Sequence, residues 1–231
     1  MFDKRISVLI PYKSDGGYRD RNWKWIKKRY KALMPQAEIC MGIYDKEPFS
    51  RAAAINNAAG IATRDIFIIA DADIIFDIDQ IAKAILGLTC CTWIIPFNSI
   101  DYLTKEQSNK LQKMEPDIAI KYIDFIGCSR LNCDWIYGGM NVVPREYFEK
   151  VGGFDEIFKG WGEEDDAFQR AMDTLCGHYG RITTNMWHMY HTPSPYKFNH
   201  EKNLNTLDKF YGDKNTIINY FNKKDKDKNY K

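Results

Sequence analysis

The chain has 231 residues, 45% of them hydrophobic and 28% charged, a balance that excludes a disordered or fibrous polymer and supplies the core of one globular domain. Its 33 Lys and Arg stand against 31 Asp and Glu, a net charge of +2 that gives no general polyanion-binding signal. The most apolar stretch, 81–96, is interrupted by Lys83 and is too short to cross a bilayer.

The opening Met1-Phe2-Asp3-Lys4-Arg5 lacks the apolar core of a signal peptide, so a cytoplasmic chain is expected. Residues 6–10 form a continuous apolar run ended by Pro11, which predicts a buried strand. Trp23, Ile26, Tyr30 and Leu33 then recur at helical spacing and stop before Pro35. A second strand is expected over 39–44, an alanine-rich helix over 51–62, and a third buried strand over 65–70. Ile78, Ile81, Ile85 and Leu88 mark the next helix, and 92–95 a fourth strand ended by Pro96. This β-α-β-α-β-α-β order predicts an α/β fold, a mostly parallel sheet with helices on both faces. Ligands of such sheets lie beyond the carboxyl ends of the strands. The polar groups there are Tyr12-Lys13-Ser14-Asp15, Asp45-Lys46-Glu47 and Asp71-Ala72-Asp73, which should converge on one edge.

Residues 98–134 are polar and mixed, with one helix expected near 105–113. A helix follows the acidic run 163–166, with Phe168, Met172 and Leu175 on its apolar face, and a strand is expected over 181–187. Residues 221–231 hold five lysines and two aspartates, a local +3 that reads as a frayed tail. The six cysteines (Cys40, Cys90, Cys91, Cys128, Cys133, Cys176) contain no CxxC pair. Free thiols are therefore expected rather than a zinc site, and a Cys128–Cys133 disulfide only if the protein works outside the cytosol.

Three features carry chemistry. Asp71 and Asp73 end a buried strand, and two carboxylates so close suit a hard divalent cation, Mn²⁺ or Mg²⁺; the alternative is a solvated strand-end turn. In Gly160-Trp161-Gly162-Glu163-Glu164-Asp165-Asp166, four acids open a helix. Capping of the dipole needs only one or two, and crowded carboxylates raise each other's pKa toward that of a general base. His188 and His191, two residues apart after a strand, offer a third ligand for a metal, whereas His178 and His200 read as ordinary surface residues.

Together these segments resemble the GT-A fold glycosyltransferases, in particular the β-1,4-galactosyltransferases and the bacterial chondroitin-polymerase-type enzymes (families 2 and 7). The resemblance rests on Gly138-Gly139-Met140-Asn141-Val142-Val143, Val151-Gly152-Gly153-Phe154-Asp155-Glu156 and Gly160-Trp161-Gly162-Glu163-Glu164-Asp165-Asp166. These are preceded in the family's order by Ile10-Pro11-Tyr12-Lys13, Phe49-Ser50-Arg51-Ala52 and Asp71-Ala72-Asp73. It covers about residues 5–192. It implies a Rossmann-like GT-A domain over 1–200, with a nucleotide-binding half of about 1–100 and an acceptor and catalytic half of about 101–200. An Asn/Lys-rich extension would then occupy 201–231.

The resemblance implies a metal-dependent, inverting transfer of a sugar from a nucleotide-diphosphate sugar, with UDP as the nucleotide, to an acceptor hydroxyl on a glycan. Pro11, Tyr12, Lys13 and Arg51 would contact the nucleotide, Arg51 near the phosphates. Asp71 and Asp73 would sit at the diphosphate, with Asp73 the direct Mn²⁺ ligand and His191 completing the site. Trp161 and Gly139 would line the sugar pocket, Asp165 would be the general base, and Glu164 would hold substrate hydroxyls. The galactosyltransferases carry a methionine ligand three residues before the histidine, where this chain has His188, so His188 stays an alternative ligand. A modified DNA base or a protein as acceptor, a nucleotidyltransferase, and a non-catalytic sugar-nucleotide or glycan-binding module are the competing readings.

Overall fold

The computed structural model describes residues 2–123, 125–132, 134–193 and 199–228. Its first half alternates as the periodicities predict: β1 (Ile6–Tyr12), α1 (Tyr18–Leu33), β2 (Glu38–Ile43), α2 (Arg51–Ile61), β3 (Ile66–Ala70), β4 (Ile74–Ile75), α3 (Ile78–Gly87) and β5 (Trp93–Ile95). The apolar runs of β1 and β3 are buried along their length, as strands covered on both faces must be. Close packing of α2 on β2 depends on Gly42, where an added Cβ would lie 1.7 Å from the Ala54 carbonyl oxygen. The second half adds β6 (Ser99–Tyr102), α4 (Lys105–Leu111), β7 (Ser129–Asn132), β8 (Met140–Pro144), α5 (Arg145–Lys150), α6 (Glu164–Leu175), β9 (Tyr179–Arg181), β10 (Asn185–His188), α7 (His200–Leu207) and α8 (Lys214–Lys228).

Six strands form the main sheet in the order β2-β1-β3-β8-β5-β9. The β1/β2, β1/β3 and β5/β9 pairings are parallel, and β8 runs antiparallel to both β3 and β5. The expected fourth strand is therefore not a direct neighbour of the third. Met140–Pro144 intervenes, its Val142 and Val143 facing Ile68 and Phe67 across the ladder.

The single strand expected over 181–187 is two. Chain direction changes together at Pro96 and Thr184, where Thr184 Oγ1 donates to the Pro96 carbonyl at 2.7 Å and Asn98 N–H donates to the Thr184 carbonyl at 3.0 Å. Proline has no N–H for a ladder, and beyond this break β6 and β10 pair again, parallel, in a second sheet ordered β4-β10-β6-β7. The mixed segment 98–134 thus supplies two strands that its polar composition conceals. Asp101 on β6 receives both a 2.6 Å and a 2.7 Å bond from Arg130 on β7. Cys133, and with it the Cys128–Cys133 reading, lies outside the described residues, as do 229–231; the five other cysteines are free thiols.

Of the residues 221–231 expected to fray, 221–228 are helical as the end of α8. Leu207 and Phe210 join Phe158 and Ala167 in a small second core, with Tyr220 and Phe221 packed against it. Among the described residues, no helix is long and apolar enough to cross a membrane.

Candidate active site

Two helix starts and one strand end meet at Arg51. Ser50 caps α2 by accepting from Ala53 N–H at 3.3 Å and donates from its own hydroxyl to the Phe158 carbonyl at 3.1 Å. Gly160 N–H donates to the Phe49 carbonyl at 2.8 Å. These bonds draw the loop before α6 onto the first turn of α2, and so bring Arg51 to Asp165. Arg51 donates from Nε to Asp71 at 2.7 Å and from Nη1 to Asp165 at 2.6 Å, with Glu164 at 3.5 Å. Among the described residues, its buried Nη2 has no hydrogen-bond partner. Burial opposes the charge on Arg51, but Asp165, Asp71 and Glu164 outweigh it and hold the guanidinium protonated.

The acids respond to the same crowding. Burial, then the charge of Asp165, pushes Glu164 from 4.5 up to about 8. Burial also raises Asp165, partly offset by Arg51 and reinforced by Asp71. Asp166 rises to about 6 through burial and the neighbouring Asp165 and Glu163. In the protonation state that costs least, Glu164 holds a proton at neutral pH and Asp165 keeps its charge against Arg51. The Asp165 side chain is 20% exposed, so its ion pair does not seal it from a substrate. All three sit in the first turn of α6, where the helix dipole favours negative charge. The preceding Glu163 adopts φ 75°, a left-handed conformation that costs a non-glycine residue energy.

Two residues beyond Asp71 the chain builds a second cluster. Ile74 pairs with His188 across β4 and β10, and Met189 N–H donates to the Asp73 carbonyl at 2.9 Å. Asp73 is buried, with His188 Nε2 at 3.6 Å and His191 Nε2 at 3.4 Å from its two oxygens. Each histidine places Nδ1 on a backbone carbonyl, at 2.9 Å for His188 and 2.8 Å for His191. A carbonyl can only accept, so each Nδ1 carries a proton, and the Nε2 of each ring is the atom turned toward Asp73. One ligand atom from each of Asp73, His188 and His191 lies within 4.8 Å of the others, and Asp73 Oδ1 is buried with no hydrogen-bond partner. One carboxylate and two imidazoles so arranged fit a divalent ion. The structure thus brings together both histidines, whereas Asp71 is occupied by Arg51.

The remaining residues singled out by the sequence are placed as follows. Pro11 lies in β1, and Tyr12 at its end donates from its hydroxyl to Asp20 at 2.5 Å. Lys13 is ion-paired with Glu47, joining the ends of β1 and β2. Gly139, at φ 92°, accepts from Asp71 N–H at 3.0 Å and packs on Met186. Trp161 is 52% exposed on the loop before α6.

Residues not anticipated are Gly138, His200 and Asn203. A Cβ at position 138 would stand 2.1 Å from Asp165 Oδ2, so the acid fits only against glycine. His200 is not an ordinary surface residue: its ring lies 5.3 Å from that of Trp161 and its Nδ1 3.3 Å from Glu163, because α7 folds back over the loop. The Asn203 amide nitrogen lies within 3.2 Å of three carbonyl oxygens of that same loop. Only the Gly-Gly pair before β8 was a signal of the first; a helix following an uninformative stretch gave none for the other two.

Residues 125–194 match the family model described as the N-terminal domain of galactosyltransferase. No curated protein sequence matches the chain. Among solved structures, a mutant of Drosophila β-1,4-galactosyltransferase 7 in complex with manganese, UDP-Gal and xylobiose aligns with TM-score 0.51 and 15% identity, covering 76% of this chain and 63% of that one. GalNAc-T7 with UDP, GalNAc and Mn²⁺ aligns with TM-score 0.51 and 14% identity, covering 87% of this chain and 42% of that one. The chain spans less than two thirds of either structure. By fold, it is a GT-A protein that carries a galactosyltransferase-type segment over residues 125–194.

Proposed function

We propose that the protein is a metal-dependent, inverting glycosyltransferase that moves a sugar from a UDP-sugar to a hydroxyl of a glycan. One observation carries the reading: Arg51 joins Asp71, at the end of β3, to Asp165, at the start of α6, two residues from the Asp73-His188-His191 cluster. A candidate base is thus tied through Arg51 to Asp71, which stands two residues along the chain from the candidate metal ligand Asp73. The nucleotide sugars and manganese of the similar structures support the choice of donor and ion, and the xylobiose of one supports a glycan acceptor.

Asp73, His188 and His191 would hold the ion, and two imidazole donors suit Mn²⁺ better than Mg²⁺, which prefers all-oxygen shells. When bound there, the cation supplies charge that stabilises the departing diphosphate. Arg51 adds fixed positive charge. Tyr12 and Lys13, at the end of β1, are the side chains nearest in sequence to a nucleotide lying over the strand ends.

Across the cleft, Asp165 takes the proton from the acceptor hydroxyl as that oxygen bonds to the anomeric carbon and the bond to the diphosphate oxygen breaks. Attack from the face opposite the leaving group inverts the carbon. Glu164, protonated, donates a hydrogen bond to a substrate oxygen, and Trp161 with Gly139 borders the sugar. The test is a panel of UDP-sugars with Mn²⁺ and oligosaccharide acceptors, read as UDP release and product anomer. Transfer with inverted configuration is expected. No turnover and no thermal stabilisation by any donor overturns the reading, and a retained configuration overturns the role of Asp165.

A further inference from the structure

We propose that Asn203, on a helix beyond the galactosyltransferase-type segment, is a positioning residue that holds the Trp161 loop in its substrate-facing form. The proposal rests on the glycosyl-transfer reading for its consequence but not for its geometry. The loop from Lys159 to Glu163 has no regular structure; Gly160 at φ 78° and Gly162 at φ 96° take left-handed backbone freely, but the non-glycine Glu163 at φ 75° holds it at a cost. Such a run persists only where its surroundings over-determine it.

Its carbonyls are captured from α7. The Asn203 amide nitrogen, with two hydrogens to give, lies 3.1, 3.2 and 3.0 Å from the carbonyl oxygens of Lys159, Trp161 and Gly162 and shares its donors among them, and Asn199 donates to Lys159 at 3.2 Å. Asn203 is 3% exposed, so these bonds are sheltered from competing water, and losing them leaves carbonyls without a donor. Helix α7 is itself anchored. Leu207 packs with Phe158 and Ala167, and Tyr220 on α8 donates to Asp155 at 2.6 Å. A C-terminal clamp therefore fixes both sides of the turn that delivers Trp161, Glu164 and Asp165. The metal cluster hangs on the β3–β4 turn and on β10 instead, so the clamp governs the Trp161 loop and leaves the metal ligands alone.

The full chain is compared with Asn203→Ala and Asn203→Asp, the second matching asparagine in size but unable to donate to a carbonyl when ionised. Each variant is also made with Trp161→Phe, so that the emission of Trp161 is obtained by difference. Without substrate, Trp161 emission should shift to the red and become more accessible to acrylamide in both variants. With substrates and Mn²⁺, the KM values of UDP-sugar and acceptor should rise, by up to about tenfold, the size of one to two lost hydrogen bonds, while the Tm shift given by Mn²⁺ alone stays that of the wild type. Unchanged Trp161 emission in both variants, or loss of the Mn²⁺ shift in step with a lower Tm, overturns the proposal. If the wild-type chain shows no transfer, the functional reading fails, and Trp161 emission alone still decides the role of Asn203.

Discussion

At the scale of single residues, the site is a contest between burial and charge around one guanidinium. Asp165 keeps its charge because Arg51 sits 2.6 Å away, and burial keeps it basic enough to accept a proton. Replacing it with asparagine preserves shape and removes the basicity together with the charge that faces Arg51. Asp165→Asn is expected to bind UDP-sugar and Mn²⁺ as the wild type does, while kcat falls by ~10²-fold or more, the size of a general-base contribution; single-turnover kinetics beside thermal titration checks both halves. Glu164 makes a different prediction. Its pKa is about 8 in the fold against 4.5 ordinarily, so the folded chain holds that proton more tightly than the unfolded one. The stability this contributes is complete below pH 4.5 and is lost as pH rises toward 8. Glu164→Gln retains a neutral, hydrogen-bonding side chain, so its Tm should fall less than that of the wild type across this window. Equal slopes in the two Tm–pH curves would assign the proton to another group.

At the scale of elements, what the sequence made legible is what local patterning controls. The runs at 6–10 and 66–69 have one way to be buried, and the 3-4-3 spacings of α1 and α3 have one period, so these elements appear where expected. Strand partners were not legible, because β8 reaches its place between β3 and β5 from about 70 residues away along the chain. Nor was the division of 181–187, which depends on Thr184 meeting Pro96 in space. In the site, acid clusters announced themselves by composition. The contact of Gly138 with Asp165 did not, although it sets how closely β8 and α6 approach. Gly138→Ala puts a methyl where Asp165 Oδ2 stands, so the acid must turn away from Arg51. Turnover is expected to drop by at least tenfold, since a displaced base loses most of a general-base contribution. Far-UV circular dichroism should remain that of the wild type. Retained turnover would show that the carboxylate does not need this position.

Across the whole molecule, the two sheets and the C-terminal helices divide the work. The second sheet brings His188 beside Asp73, through β10 paired between β4 and β6. The donor set carries its own preference: two imidazoles lower the competitiveness of Mg²⁺ while Mn²⁺ accepts mixed nitrogen and oxygen ligands. An ion that binds only the folded chain stabilises it by mass action, about 2.7 kcal/mol at a hundredfold excess over Kd, or roughly 5–10 °C for a chain of this length. Mn²⁺ is therefore expected to raise Tm by that order, and Mg²⁺ by much less at the same concentration. His188→Ala and His191→Ala should each abolish most of the Mn²⁺ shift. His178→Ala should retain it, since that imidazole is exposed and pairs only with Asp173 on α6. Because the shift is read without donor or acceptor, it tests the cation site apart from catalysis. Equal shifts with Mn²⁺ in the wild type and in both cluster variants would place the ion elsewhere and leave Asp73 a buried acid facing two histidines for structural reasons alone.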